Sequence, residues 1–142
     1  MPAIESAFVA NGNVFAVERS GSTTYIGGSF TELGAQTGGG ARVSPTSGKR
    51  FVDSPVVNGD VLASAPDGSG GAFIGGDFTH VGGVARNNIA HVLPDGTVDP
   101  AFDPDANGFV QALAVDGDAV YAGGEFTTIG GFPRQGFAQF PR

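Results

Sequence analysis

The sequence predicts an all-β fold built from repeated units of short antiparallel strands, and three observations carry that prediction. One phrase recurs three times, as YIGGSFTELG from Tyr25, FIGGDFTHVGG from Phe73 and YAGGEFTTIGG from Tyr121, with 48 residues between starts in both steps. Two further landmarks keep the same order. Asn11-Gly12-Asn13-Val14, Asn58-Gly59-Asp60-Val61 and Asn107-Gly108-Phe109-Val110 recur at intervals of 47 and 49, and Ala41-Arg42-Val43, Ala90-His91-Val92 and Ala138-Gln139-Phe140 form the third series. Between landmarks the apolar residues run in short alternating stretches broken by Gly, Pro, Asn and Asp, and no stretch carries a helical period.

In chain order, residues 3–10 read as a strand ahead of the first unit, and the units then span approximately 13–60, 61–109 and 110–142. In the third unit Val110 to Val115 is strand A, Asp116-Gly117-Asp118 a tight turn and Ala119 to Phe126 strand B. The Gly-rich stretch Gly130 to Gln135 leads to strand C at Gly136 to Phe140. The second unit supplies the rest: strand C at Asn88 to Leu93, a turn at Pro94-Asp95-Gly96 and strand D at Thr97 to Phe102. The pairs Gly27-Gly28, Gly75-Gly76 and Gly123-Gly124 fall inside strand B, where glycine normally weakens a strand, so a backbone or ring is expected close against them. Phe30, Phe78 and Phe126, two residues on, are expected as core anchors between blades. Four antiparallel strands in a unit of about 40 to 50 residues make a blade, so the fold class is all-β, a β-propeller with three blades in one segment, 1–142.

The run of strand A, Asp-Gly turn, [YF]-[IA]-G-G-[SDE]-F-T, second Gly pair, A-[RHQ]-[VF] and D-G-x-[VL]-D-x-x-F tail resembles the delta-60 repeat family of bacterial β-propellers. The resemblance covers the whole chain and is strongest over 61–140; the first copy departs at Leu33-Gly34-Ala35, at Gln36 to Gly40 and in its tail Phe51-Val52-Asp53-Ser54. It implies a repeat scaffold of extracellular or cell-surface bacterial proteins without an established reaction.

Strand counting adds an expectation about assembly. The third copy ends with strand C, while the stretch from Ala3 to Gly12 takes the place of the second copy's tail from Asp99-Pro100-Ala101-Phe102 to Asn107-Gly108. The first strand is therefore expected to complete the last blade by strand exchange. Three blades are fewer than the roughly four to eight that usually close a ring, and sheets about 10 Å apart do not wedge readily through so wide an angle. Uncovered sheet faces and an open edge at strand C invite association. The expected partner is the same chain, as a homodimer giving six blades or a homotrimer giving nine, with residues 3–10 of one copy paired to Gly136–Phe140 of the next. An excerpt or engineered piece of a longer propeller is the competing account.

Composition narrows the chemistry. With no Cys there is no disulfide or thiolate chemistry. A net charge of -7, Lys49 as the single lysine and six scattered Arg leave no basic patch for nucleic acid or an anionic membrane. No run of about 18 apolar residues spans a bilayer, and MPAIESAFVANG lacks the parts of a signal peptide. Asp103-Pro104-Asp105-Ala106-Asn107-Gly108 opens like a calcium loop but has Ala114 where the bidentate Glu belongs, so an Asx-type turn is the expected reading, with Asp103, Asp105 and Asn107 a weak calcium candidate. Gly123-Gly124-Glu125-Phe126 repeats a packing phrase rather than a nucleotide-cyclase signature, and Thr37-Gly38-Gly39-Gly40 precedes Ala41-Arg42 rather than the Lys of a phosphate loop. His80 at the strand B exit and His91 in strand C are read as surface or hydrogen-bonded residues. Asp77 and Glu125 alone are scattered too widely for acid–base work, and no cofactor is implied. One rim gathers Asn11, Asn58, Asp60, His80, Arg86, Asn87, Asp105, Asn107 and Arg134, groups suited to a glycan or a protein loop. The leading expectation is a non-catalytic self-assembling scaffold or recognition module. A carbohydrate-binding propeller is the alternative, and a hydrolase or lyase using the central funnel comes behind it.

Overall fold

The glycine and valine landmarks set the architecture. A computed structural model describes residues 10–21, 23–32, 38–43, 51 and 53–142. Its strands are β1 Val14–Ser20, β2 Thr23–Gly28, β3 Gly38–Val43, β4 Val57–Pro66, β5 Ala72–Asp77, β6 His80–Val81, β7 Val84–Ala85, β8 Ile89–Val92, β9 Val110–Asp116, β10 Ala119–Gly124, β11 Thr128–Ile129, β12 Phe132–Pro133 and β13 Phe137–Pro141. No helix occurs among the described residues. The expected strand over residues 3–10 lies outside them except for Ala10.

Three antiparallel meanders follow the three repeats: β1–β2–β3, β4–β5–β8 and β9–β10–β13. Each first strand carries a bulge just after its landmark valine, between Val14 and Ala16, Val61 and Ala63, and Val110 and Ala112. The bulge turns the strand locally without ending its pairing. The second glycine of each strand B pair lies over that point, where a Cβ on Gly28, Gly76 or Gly124 would run into the carbonyl oxygen of Asn13, Asp60 or Phe109. The expected close approach is thus a backbone in all three copies.

The stretch between strands B and C, read from sequence as a Gly-rich connection, folds as a small hairpin, β6–β7 in the second unit and β11–β12 in the third. Gly82-Gly83 and Gly130-Gly131 supply the turns with φ of 57° and 79°, and 63° and 77°. Positive φ at both central positions is the turn whose twist matches antiparallel strands, and glycine adopts it without strain.

Strand D is shorter than the sequence predicts. Of Thr97 to Phe102, only Val98 bridges the sheet, opposite Val92. Asp99 donates its N–H to the His91 carbonyl, and then Asp99 Oδ1 caps the Ala101 N–H at 2.9 Å. Pro100 has no N–H to extend the ladder, so the segment turns away. The first and second units are also joined, because β3 runs parallel to β4 through Gly38 and Gly39.

The core lies between units. Tyr25 on β2 packs with Val57 and Val61 on β4, Ile74 on β5, Val92 on β8, and Phe78. Phe73 and Ile89 of the second pack with Val110, Val120, Phe126 and Ile129 of the third. Phe30, Phe78 and Phe126 are buried, as expected of the anchors; each such side chain contributes about 1.5–3 kcal/mol by leaving water.

Candidate functional site

The Asn-Gly and Phe-Thr landmarks, far apart in each repeat, meet in space. Asn11 Oδ1 accepts the N–H groups of Thr31 and Glu32 at 2.9 and 3.1 Å, while its Nδ2 donates to Thr31 Oγ1 at 2.9 Å. Asn58 holds Thr79 and His80 the same way, at 2.9, 2.8 and 2.7 Å. Asn107 holds Thr127 and Thr128, at 2.8, 2.9 and 2.8 Å. The next residue must be small, since a Cβ on Gly12 or Gly108 would stand 2.6 Å from the carbonyl oxygen of Ser29 or Glu125. The two motifs are therefore halves of one clasp tying the start of strand A to the end of strand B.

Two of the candidate ligand residues, Asn58 and Asn107, spend their side-chain amides on this clasp. His80 gives its N–H to Asn58 and sets Nδ1 3.0 Å from Thr79 Oγ1. Asn58 and Asp60 line one groove with Phe30, Val56 and Val57. Arg86 is buried and donates to three carbonyls, Phe102 at 3.2 Å, Ala85 at 2.7 Å and Asp99 at 3.1 Å, besides pairing with Asp103 at 3.4 Å. Asn87 donates to Asp105 at 2.7 Å. The weak calcium candidates are thus engaged by three different groups: Asp103 by Arg86, Asp105 by Asn87 and Asn107 by the clasp. Asp105 has φ of 53°, the left-handed geometry that Asp tolerates in a turn. Arg134, the third-unit counterpart of Arg86, is exposed and, among the described residues, reaches the Pro133 carbonyl and the Phe132 ring.

Sequence reasoning missed the partners of His91. From β8 its Nε2 lies 2.9 Å from Asp67 Oδ2 and its Nδ1 2.9 Å from Asp99 Oδ2, with the ring stacked 4.1 Å from Phe73. Each ring nitrogen thus faces one carboxylate oxygen, one from the turn at Asp67 and one from the tail at Asp99. Burial acts to raise the Asp67 carboxyl, but the His91 hydrogen bond and the amides of Ser69 and Gly71 outweigh it and hold it below its ordinary 3.8. Asp99 follows the same balance, with burial opposed by His91 and the Ala101 amide. With both nitrogens engaged, His91 ties the turn at Asp67 to the tail at Asp99. Arg42 stands at the equivalent position in β3, 3.2 Å from Asp53 and over the Tyr25 and Phe51 rings. The repeat alignment held this signal in the first two copies: Arg42 or His91 in A-x-V and an Asp, Asp53 or Asp99, in the following tail.

The first glycine of the strand B pair marks contact between units in the first two copies. A Cβ on Gly27 would overlap the Val61 side chain, and one on Gly75 would sit 2.5 Å from Val110 Cγ1 and 3.3 Å from Leu113 Cδ1. On Gly123 it would meet nothing nearer than its own unit's Ala112 Cβ at 3.7 Å. The valine series mirrors this: Val61 is 1% exposed, Val110 0% and Val14 45%.

Against known proteins, residues 66–102 match the family model described as "Domain of unknown function (DUF5122) beta-propeller". The match supports a β-propeller domain. It covers the second unit from the end of β4 to Phe102, including strand B, the Gly-Gly hairpin, His91 and Asp99. No curated protein and no solved structure matches the chain.

Proposed function

We propose that the chain is a non-catalytic β-propeller scaffold, with repeats of the delta-60 kind, that builds its ring with further copies of itself, as a dimer of six blades or a trimer of nine. The observation that carries this reading is the contrast between inner and outer sheet faces. Val14, Phe15 and Val17 on β1, and Phe137 on β13, are among the exposed large apolar residues, whereas Val61, Val110 and Ile89 at equivalent places are buried. Large apolar side chains exposed where their counterparts in other units are buried support an interaction surface at each outer unit. The rim residues lend no comparable support to ligand recognition, since Asn58, Arg86 and Asn107 serve internal hydrogen bonds. Sedimentation equilibrium tests the proposal: a mass two or three times 14.2 kDa is expected, and a 14.2 kDa species across the accessible concentrations overturns it.

A further inference from the structure

Resting on that scaffold reading, we infer that copies join head to tail by one specific fit, in which Val14 and Val17 of one copy seat in the depression around Gly123 of the next. The chain makes this contact twice internally. In each case a strand A valine enters the space left by a strand B glycine: Val61 at Gly27, then Val110 at Gly75 with Leu113 beside it. Both valines are fully buried there, and the aromatic residue two positions before each glycine, Tyr25 or Phe73, is buried with them.

At the far side of the third unit the socket is present without its knob. Gly123, Tyr121, Phe137, Ala112 and Ala114 line an apolar depression of about 220 Å³. Phe137 is 59% exposed where its second-unit counterpart Ile89 is 0% exposed. At the near side of the first unit the knob is present without its socket. Val14 leads its strand as Val61 and Val110 lead theirs, and Val17, at the place of Leu113, is 61% exposed. The residues lining the Gly123 depression carry no charge, so an apolar knob enters it without burying an unpaired charge of the socket. Knob and socket lie on opposite outer units, which makes the contact heterologous and able to close a ring by rotation.

The test uses two full-length variants, Val14→Arg, which blocks the knob, and Gly123→Trp, which fills the socket. Val17→Asp and Gly123→Val serve as second variants if circular dichroism shows either first choice unfolded. Each alone is expected to raise the concentration of half-assembly by about a hundredfold. Mixed, they restore one intact contact, between Val14 of the Gly123→Trp chain and the open socket of the Val14→Arg chain, and native mass spectrometry should show a 1:1 heterodimer. If the wild type assembles and the folded variants assemble equally well, this fit is overturned while the scaffold reading stands. Variants that stay monomeric even when mixed also overturn it. A wild type that is monomeric throughout overturns the scaffold reading itself.

Discussion

Gly75 and Gly123 occupy the same place in successive units and meet different surroundings. Around Gly75 the next unit presses Val110 and Leu113 into the space a side chain would need; around Gly123 the nearest atoms belong to its own unit. Arg86 and Arg134 repeat the contrast, one buried among three carbonyls and the other exposed beside a single one. The same residue in the same motif is thus structural or idle according to what the neighbouring segment supplies. Identity within a repeat fixes the local backbone; burial is settled between repeats.

Substitutions in equivalent positions sharpen this comparison. The largest effect is expected at Gly75→Val, which overpacks against Val110 and should lower unfolding free energy by about 3 kcal/mol, while Gly123→Val, measured in urea below the assembly concentration, should cost less than about 1 kcal/mol. Equal losses at both sites would break the comparison. Arg86→Ala comes next, at about 2–3 kcal/mol, because it strands buried carbonyls and Asp103; Arg134→Ala should fall within about 0.5 kcal/mol. Asn58→Ala removes one clasp and should cost about 1–2 kcal/mol, with Asn11→Ala and Asn107→Ala showing similar or smaller losses in the same melts. Acid gives the smallest and most graded effect. Asp67 and Asp99 have folded values below their ordinary 3.8, so their contribution is complete above that value and is lost as pH falls through the lower folded values. Urea midpoints should therefore hold down to about pH 4 and decline below it. His91→Gln should lower the midpoints above pH 4 and make the acid decline shallower, since the folded Asp67 value then rises toward its ordinary one and less stability is left to lose.

Much of this was legible because it is local. The repeat period, the strand B glycines, the buried Phe anchors and the turns at Gly82-Gly83 and Gly130-Gly131 follow from short stretches whose backbone demands are visible in the residues themselves. Strand D was overread because Val98 and Phe102 keep the apolar alternation while Pro100 between them removes the hydrogen bond that would extend the strand. The partners of the rim residues are not legible, because polarity shows in a sequence and hydrogen-bond partners do not. Asn58 and Thr79 stand 21 positions apart, and nothing in either residue announces the other. His91 has the same character, with carboxylates 24 positions before it and 8 after it.

The clasps also bear on how the protein ages. Each is built on Asn-Gly, the dipeptide in which a side-chain amide most readily closes onto the next backbone nitrogen and loses ammonia. That cyclisation needs the carboxamide to swing toward the glycine nitrogen, and an amide held by three hydrogen bonds is not free to swing. Were it to happen, the Nδ2 donor facing Thr31, Thr79 or Thr127 would become an acceptor, and the clasp would lose the bond it donates. Three vulnerable sites in the covalent chain are thus guarded by the fold they help to hold, and the rate of ammonia release on storage becomes a clock for how often each clasp opens.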